Sequence, residues 1–182
     1  MQGALSGKFI DPQVVCSHFH LRAGDVVADF GAGSGHYMKP LSHAVGSSGK
    51  VYLCEIQKNL VESLGHKVHE QRLRNVHPLW CDLEAQGGIK LKDATLDAGL
   101  LSNTLFQFQD KDAALREFAR VIRKGGKLFV IDWSDSFGGL GPHPGHVVSL
   151  HDARMLVEKA GFAFEHEFPA GAHHYGFVCR KA

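Results

Sequence analysis

Neither charge sign is in excess in this chain. Its 182 residues carry 20 lysines and arginines against 19 aspartates and glutamates, a net charge of +1 with histidines neutral. A nucleic-acid partner favours a basic face, and this balance supplies none, so no nucleic acid is expected as partner. The local exception, Lys67 with Arg72 and Arg74, falls at a predicted helix end and reads as a solvated face. Cysteine is scarce as well. Cys16, Cys54, Cys81 and Cys179 form no C-x-x-C pair, which speaks against a disulfide framework or zinc knuckle and for a reducing compartment. No run approaches the ~18 apolar residues of a membrane span. Residues 1–5 have neither the basic nor the apolar region of a signal peptide. A cytoplasmic location without a membrane partner is expected.

Glycine is abundant, with 21 residues, and three of them mark the most informative stretch. Val26-Val27-Ala28-Asp29-Phe30 is followed by Gly31, Gly33 and Gly35 at every second position. The apolar run ending in an acid reads as a buried parallel strand, and the glycines as a tight turn into a helix. Glycine lets the backbone turn sharply and lets a ligand approach it closely. The helix N-terminus beyond would offer N–H groups to a carboxylate or phosphate. A dinucleotide fingerprint, G-x-G-x-x-G, would place its third glycine at position 36, which is His36. Taken alone, the turn also suits a structural role in some other α/β domain.

Further acids and glycines follow in order. Glu55 closes a second strand-like run, Val51-Tyr52-Leu53-Cys54-Glu55, where a carboxylate can accept both ribose hydroxyls of a nucleotide cofactor. A third run ends at Asp82, suitably placed for an adenine amino group, with Leu83 after it. A fourth has a polar tip, Ser102-Asn103. Residues 116–132 read as an amphipathic helix, a glycine turn at Gly125-Gly126 and a fifth strand. These five pieces span roughly residues 20–165 and resemble the class I S-adenosylmethionine (SAM) methyltransferases, in particular the compact ubiquinone/menaquinone-biosynthesis-like group. The first stretch is similar to that family's D-x-G-x-G-x-G motif. Lys124 stands where the family's R-x-L-K-P-G-G segment usually has proline, a departure that affects the turn and not the chemistry.

The resemblance implies a Rossmann-like α/β fold. Its seven-stranded, mostly parallel sheet would have the order 3-2-1-4-5-7-6, with strand 7 antiparallel and helices on both faces. It implies S-adenosyl-L-methionine as cofactor, held by Asp29, Gly31, Ala32, Gly33, Gly35, Glu55, Ile56, Asp82, Leu83, Ser102 and Asn103. It also implies methyl transfer to a small-molecule acceptor by in-line displacement.

The periodicity itself predicts one domain over residues 1–182, with 1–20 as a lid and short helix that starts at Asp11-Pro12. Strands are expected at 26–30, 51–55, 76–81, 96–101 and 127–132. The intervening helices are expected at 34–45, 58–72 and 110–123. A Gly/Pro-rich loop, 134–148, leads to a helix capped by Ser149 and a hairpin of 162–168 with 174–179. No repeat or linker interrupts this order, so it belongs to a sheet with helices on both faces.

Ligands of open α/β sheets bind at the carboxyl ends of the strands. An antiparallel last strand would begin on that rim and bring His173, His174 and Tyr175 there. His143 and His146 would join them if their loop folds over it. His174 and His146 are candidate general bases; the alternative for each is a rim histidine that only packs or binds water. Alternation sends His173 and His174 to opposite faces without fixing which one meets the acceptor. Phe9, Trp133 and Phe137 are candidates for pocket walls or for core. The histidine spacing lacks an i, i+4 pair at 143 and 146 and no cysteine joins it, so no metal is expected. A SAM-binding module without turnover, such as a sensor, is the alternative reading. A nicotinamide oxidoreductase is a third, which the glycine spacing disfavours.

Overall fold

A computed structural model of the chain describes residues 10–137, 139 and 141–182. Phe9 and the first part of the expected lid lie outside the described residues. Asp11 caps α1 (Pro12–Ser17), its carboxylate accepting from the Gln13 and Val14 amides. Then come β1 (Val26–Phe30), α2 (Met38–Val45), β2 (Lys50–Glu55), α3 (Lys58–Glu70), β3 (Val76–Trp80) and β4 (Leu96–Ser102). The chain continues with α4 (Lys111–Val121), β5 (Ile122–Trp133), α5 (Leu150–Lys159), β6 (Phe162–Glu167) and β7 (His174–Lys181).

The seven strands form one sheet in the order β3-β2-β1-β4-β5-β7-β6, as expected. Strands β1 to β5 pair in parallel, and β7 runs antiparallel to both β5 and β6. Alternation along each strand feeds two cores, because successive side chains leave opposite faces. Val27, Leu53 and Phe129 pack with Val15 of α1 and Leu41 of α2 on one face. Ala28, Phe30 and Phe177 pack with Phe118 of α4 and Val157 of α5 on the other.

Several local boundaries differ from expectation. Helix α1 ends at Ser17, short of position 20. Helix α2 begins at Met38, not at Ser34. Proline is tolerated only in a helix's first turn, since it lacks the N–H for the bond to residue i−4. A start at Ser34 would put Pro40 in the second turn, and the four residues before Met38 remain turns instead. The Gly125-Gly126 segment is not a separate turn but an irregular stretch within β5, with a register shift opposite Leu96 and Ala98. Gly125 takes φ +73°, and a Cβ on Gly126 would lie 2.7 Å from Ile122 Cγ2, so both positions need glycine.

A buried lock ties the 81–95 connection to α4. Glu117 accepts from the Gly87 and Ile89 amides at 3.1 and 3.0 Å and from Arg120 at 2.6 Å. Burial pushes the Glu117 carboxyl up, but the hydrogen bonds from Arg120, Ile89 and Gly87 outweigh it and hold it below its ordinary value. Arg120 in turn donates to the Ile89 and Leu91 carbonyls and to Asp93.

Candidate active site

A groove crosses the carboxyl ends of the parallel strands in two lobes, of about 440 and 370 Å³. Gly31, Gly33, Thr104 and Gln107 border both lobes. The smaller lobe is faced by Glu55, Ile56, Asp82 and Leu83, the larger by Asp29, Ala32, Ser102, Asn103, Trp133 and His174. The fold thus brings together ten of the eleven residues expected at the cofactor, and His174 with them.

The three glycines do different work. Gly31, Gly33 and Gly35 all adopt positive φ, a region that side chains resist. A Cβ on Gly31 would stand 2.7 Å from Thr104 Cγ2, and one on Gly35 would stand 2.6 Å from Leu64 Cδ2 of α3. Those two glycines permit packing. At Gly33 the added carbon would meet only the Gly31 carbonyl oxygen at 4.0 Å, so this backbone lies open to the groove. Gly35 itself does not line it. Lys67, expected as part of a solvated face, is tied to this loop: its Nζ donates to the Ser34 carbonyl at 2.8 Å.

Asp29 and Glu55 are 2% and 5% exposed, yet both reach the groove. Burial, reinforced by the Glu55 charge, pushes the Asp29 carboxyl up to about 7. Glu55 accepts from Gly33 N at 3.0 Å and from Gln57 N at 2.9 Å, one bond to each oxygen. A carboxylate has about four lone-pair sites, so each oxygen keeps one for a ligand hydroxyl. Asp82 braces its own turn by accepting from Glu84 N at 3.1 Å. Next to Glu55, Ile56 is 52% exposed, an apolar shelf beside the acids.

In the larger lobe the tip of β4 is strained. Asn103 holds φ +56°, its amide donates to the Ile131 carbonyl at 2.9 Å, and its carbonyl accepts from Gln107 Nε2 at 2.7 Å. Its side-chain Oδ1 is buried without a hydrogen-bond partner. Non-glycine residues in the left-handed region concentrate at functional sites. Tyr37, buried beneath this lobe, accepts from Ser102 Oγ at 3.4 Å. Asp132, at the end of β5, accepts from the Trp133 and Phe106 amides, and burial pushes its carboxyl up to about 6.

The two adjacent histidines part company. His173 takes φ +64°, stands 3.0 Å from Asp135 and stacks on Phe137, with ring centroids 3.9 Å apart. His174 turns into the larger lobe. Its Nδ1 donates to the Ala172 carbonyl at 2.8 Å, leaving Nε2 as a lone-pair acceptor, buried and unpartnered. Burial lowers its pKa below the ordinary imidazole value, against the Ala172 hydrogen bond that raises it. His146 is not brought to this groove. It stands in a neighbouring cleft with Phe106, Gln107, Lys111 and Val148, and Tyr175 Oη donates to the Val148 carbonyl at 3.0 Å and fixes that end of the loop. His143 lies beside it at 6.0 Å between rings, and no group of three or more metal-ligating side chains forms among the described residues.

Sequence reasoning missed Thr104, Gln107 and Tyr37. Thr104 and Gln107 follow the polar tip of β4, whose continuation into a 3-10 turn, Leu105–Gln107, had no periodic signal. Tyr37 was hidden in a segment expected to be helix.

The chain's sequence and shape both have close counterparts. The profile of a family described as "Methyltransferase domain" matches residues 28–130. The ubiquinone/menaquinone biosynthesis C-methyltransferase UbiE of Hahella chejuensis is 33% identical over 115 residues, 63% of this chain and 45% of that protein. Its counterpart from Escherichia coli O1:K1 is 31% identical over 118 residues. The chain thus spans about half the length of the UbiE proteins it matches. The crystal structure of a SAM dependent methyltransferase from Aquifex aeolicus superposes with a TM-score of 0.88 at 30% identity, covering 96% of this chain and 91% of that one. A type 11 methyltransferase structure from Sulfolobus solfataricus shares the fold, with a TM-score of 0.77 at 22% identity.

Proposed function

The chain belongs to the methyltransferase-domain family, and on that premise we propose that it is a SAM-dependent methyltransferase acting on a small molecule. The observation that carries this reading is the row of acids at the ends of neighbouring strands. Asp29 and Glu55 lie at the ends of β1 and β2, Asp82 follows β3, and all three face one groove beside the open backbone of Gly33. Such a row suits a nucleoside with a cationic tail.

The residues present fit that cofactor. Glu55 offers its spare lone pairs to the ribose hydroxyls, Ile56 and Leu83 flank the adenine, and Asp82 takes its amino group. Asp29, Gly33 and Ser102 hold the amino-acid end, with the Asn103 side chain left facing the acceptor space. When bound, SAM supplies a methyl group on a positively charged sulfur.

The protein's own task is then positional. Holding two reactants in line lowers a barrier by as much as ~7–11 kcal/mol, and the larger lobe provides the rigid frame. His174 is the general base of this site, because Nε2 is the one imidazole nitrogen left free to receive a proton. The near balance of charge supports a small acceptor over a nucleic acid. No helix among the described residues is long and apolar enough to cross a membrane.

Calorimetry tests the assignment. SAM and its demethylated product S-adenosylhomocysteine (SAH) should bind, and NAD should not. Glu55→Ala should weaken SAM binding by ~1.5–3 kcal/mol, the range for hydrogen bonds to a charged group. Transfer of label from methyl-labelled SAM to candidate acceptors then separates an enzyme from a binder. Undiminished SAM affinity in both Glu55→Ala and Gly33→Val would sink the site.

A further inference from the structure

The larger lobe has an unusual hydrogen-bonding balance. Two of its lining side chains end in buried atoms without partners, and both are acceptors: His174 Nε2 and Asn103 Oδ1. A buried polar atom left unpaired is costly, so the pair calls for a donor. The charge balance is one-sided as well. Among the described residues no lysine or arginine lines this lobe, and its one carboxyl is the buried Asp29. Ile10, Pro12 and Trp133 give it apolar walls.

These facts separate acceptor chemistries. A carboxylate or phosphate would bring a second negative charge next to Asp29, with no lysine or arginine among the described lining residues to meet it. Buried charges of that kind are strongly disfavoured. An uncharged nitrogen nucleophile avoids the difficulty. The positive charge that leaves sulfur reappears on nitrogen, so the lobe holds one positive charge throughout, facing acceptor atoms.

We propose that the acceptor is an uncharged aromatic nitrogen compound, an arylamine or N-heterocycle with two N–H groups, that donates to His174 and Asn103 and is methylated on nitrogen. This rests on the SAM-dependent reading above. The N–CH3 bond forms as the CH3–S bond breaks, and the bonding pair stays on sulfur, leaving a neutral thioether. The proton of the new ammonium passes to His174 Nε2, giving an imidazolium that later yields it to solvent. Burial favours the neutral imidazole before transfer, the state this step requires. Asn103 acts as the specificity residue, since a site built to bind two donors rejects an isostere that has lost one.

The test uses the full chain saturated with SAH and three probes of one shape: 5-aminoindole, 5-hydroxyindole and indole-5-carboxylate. Binding is read by NMR titration, independently of turnover. 5-Aminoindole should bind at least fivefold tighter than 5-hydroxyindole, and the carboxylate should not bind measurably. His174→Leu should bring the amino-to-hydroxy ratio near one, while His174→Gln, which keeps an acceptor oxygen, should preserve part of it. Asn103→Gly, a change its positive φ accommodates, should also reduce the ratio. Equal or tighter binding of 5-hydroxyindole or the carboxylate, or no binding of 5-aminoindole, overturns the proposal while SAH binding stands. Failure of SAH itself to bind overturns the SAM reading, and the proposal with it.

Discussion

Trp133 and His174 are register partners across the β5–β7 ladder, with ring centroids 4.2 Å apart. The indole is closed in from another side by the loop backbone, since a Cβ on Gly141 would stand 2.7 Å from it. With the Ala172 carbonyl fixing Nδ1, the imidazole has little freedom, and Nε2 is aimed by structure rather than by chance rotation. A base held this way loses no orientational entropy at the moment of proton transfer.

His174→Ala should therefore leave SAM affinity within about twofold of wild type and lower kcat ~10²–10⁴-fold, the usual contribution of a positioned general base. His173→Ala, which loses contacts to Asp135 and Phe137 instead, is the matched control and should lower kcat little. The sign of the pH effect follows from burial. Because His174 titrates below the ordinary imidazole value, the wild-type rate should fall only on the acid side of about 6.5. The His174→Ala rate should lack that limb. Equal losses in the two variants would remove His174 from the mechanism.

The glycine loop predicts a split between stability and binding. Gly31→Ala places a carbon against Thr104 and should lower Tm, with partial recovery in the double variant that also carries Thr104→Ala. At Gly33 an added Cβ meets only the Gly31 carbonyl oxygen, at an unstrained 4.0 Å. The cost of Gly33→Val to folding is the positive φ, roughly 1–2 kcal/mol. SAH binding, read by calorimetry, should nonetheless be abolished. Loss of binding in Gly31→Ala with retention in Gly33→Val would reverse the roles assigned to the two positions.

The sheet was legible because its signals are local. Val27, Leu53 and Leu100 lie in apolar runs, each run ends in a polar residue, and glycine or loop punctuation follows. Its strand order came from family resemblance, since hydrophobic alternation says which face a residue takes but not which strand is its neighbour. At the site, the acids and glycines of β1 to β3 were legible for the same local reason. Gln107, the neighbour of both lobes, was not, because it sits on a short 3-10 turn without periodicity. His146, expected near the groove only if its loop folded over the rim, lines a neighbouring cleft that shares Gln107 with it. Where a loop lies depends on distant anchors such as Tyr175 Oη on Val148, and nothing in the loop's own composition encodes them.

Glu117 illustrates another contact hidden from sequence. On α4 it looks like a surface acid, yet it is 3% exposed and satisfies two loop amides as well as Arg120. Glu117→Leu removes one of the two carboxylate partners of Arg120, leaving Asp93, and takes the acceptor from the Gly87 and Ile89 amides. The expected loss is ~1–3 kcal/mol, the range for leaving a buried amide without its acceptor. Urea unfolding measures it. A loss under 1 kcal/mol would mean that the loop is held by other contacts.

Asp29 joins stability to binding through one proton. Its carboxyl titrates at about 7 in the folded chain, raised from 3.8 by burial and then by Glu55. Below 3.8 both folded and unfolded chains hold the proton, and the site adds no penalty. As pH rises from there towards 7, the unfolded chain releases the proton while the folded chain keeps it, so stability falls across that window and levels off above it. Asp29→Asn removes the titration. It should match wild type near pH 4 and exceed it by roughly 1–3 kcal/mol at pH 8. The cationic cofactor has the opposite preference and favours the ionised carboxylate. SAM binding at pH 7 should therefore expel a fraction of a proton, seen as a binding enthalpy that varies with the ionisation enthalpy of the buffer. SAH, which lacks the sulfonium charge, should expel less. Asp29→Asn should bind SAM more weakly and with a buffer-independent enthalpy. A wild-type enthalpy that ignores the buffer, or a variant no more stable than wild type at pH 8, would show that Asp29 is already ionised in the free protein.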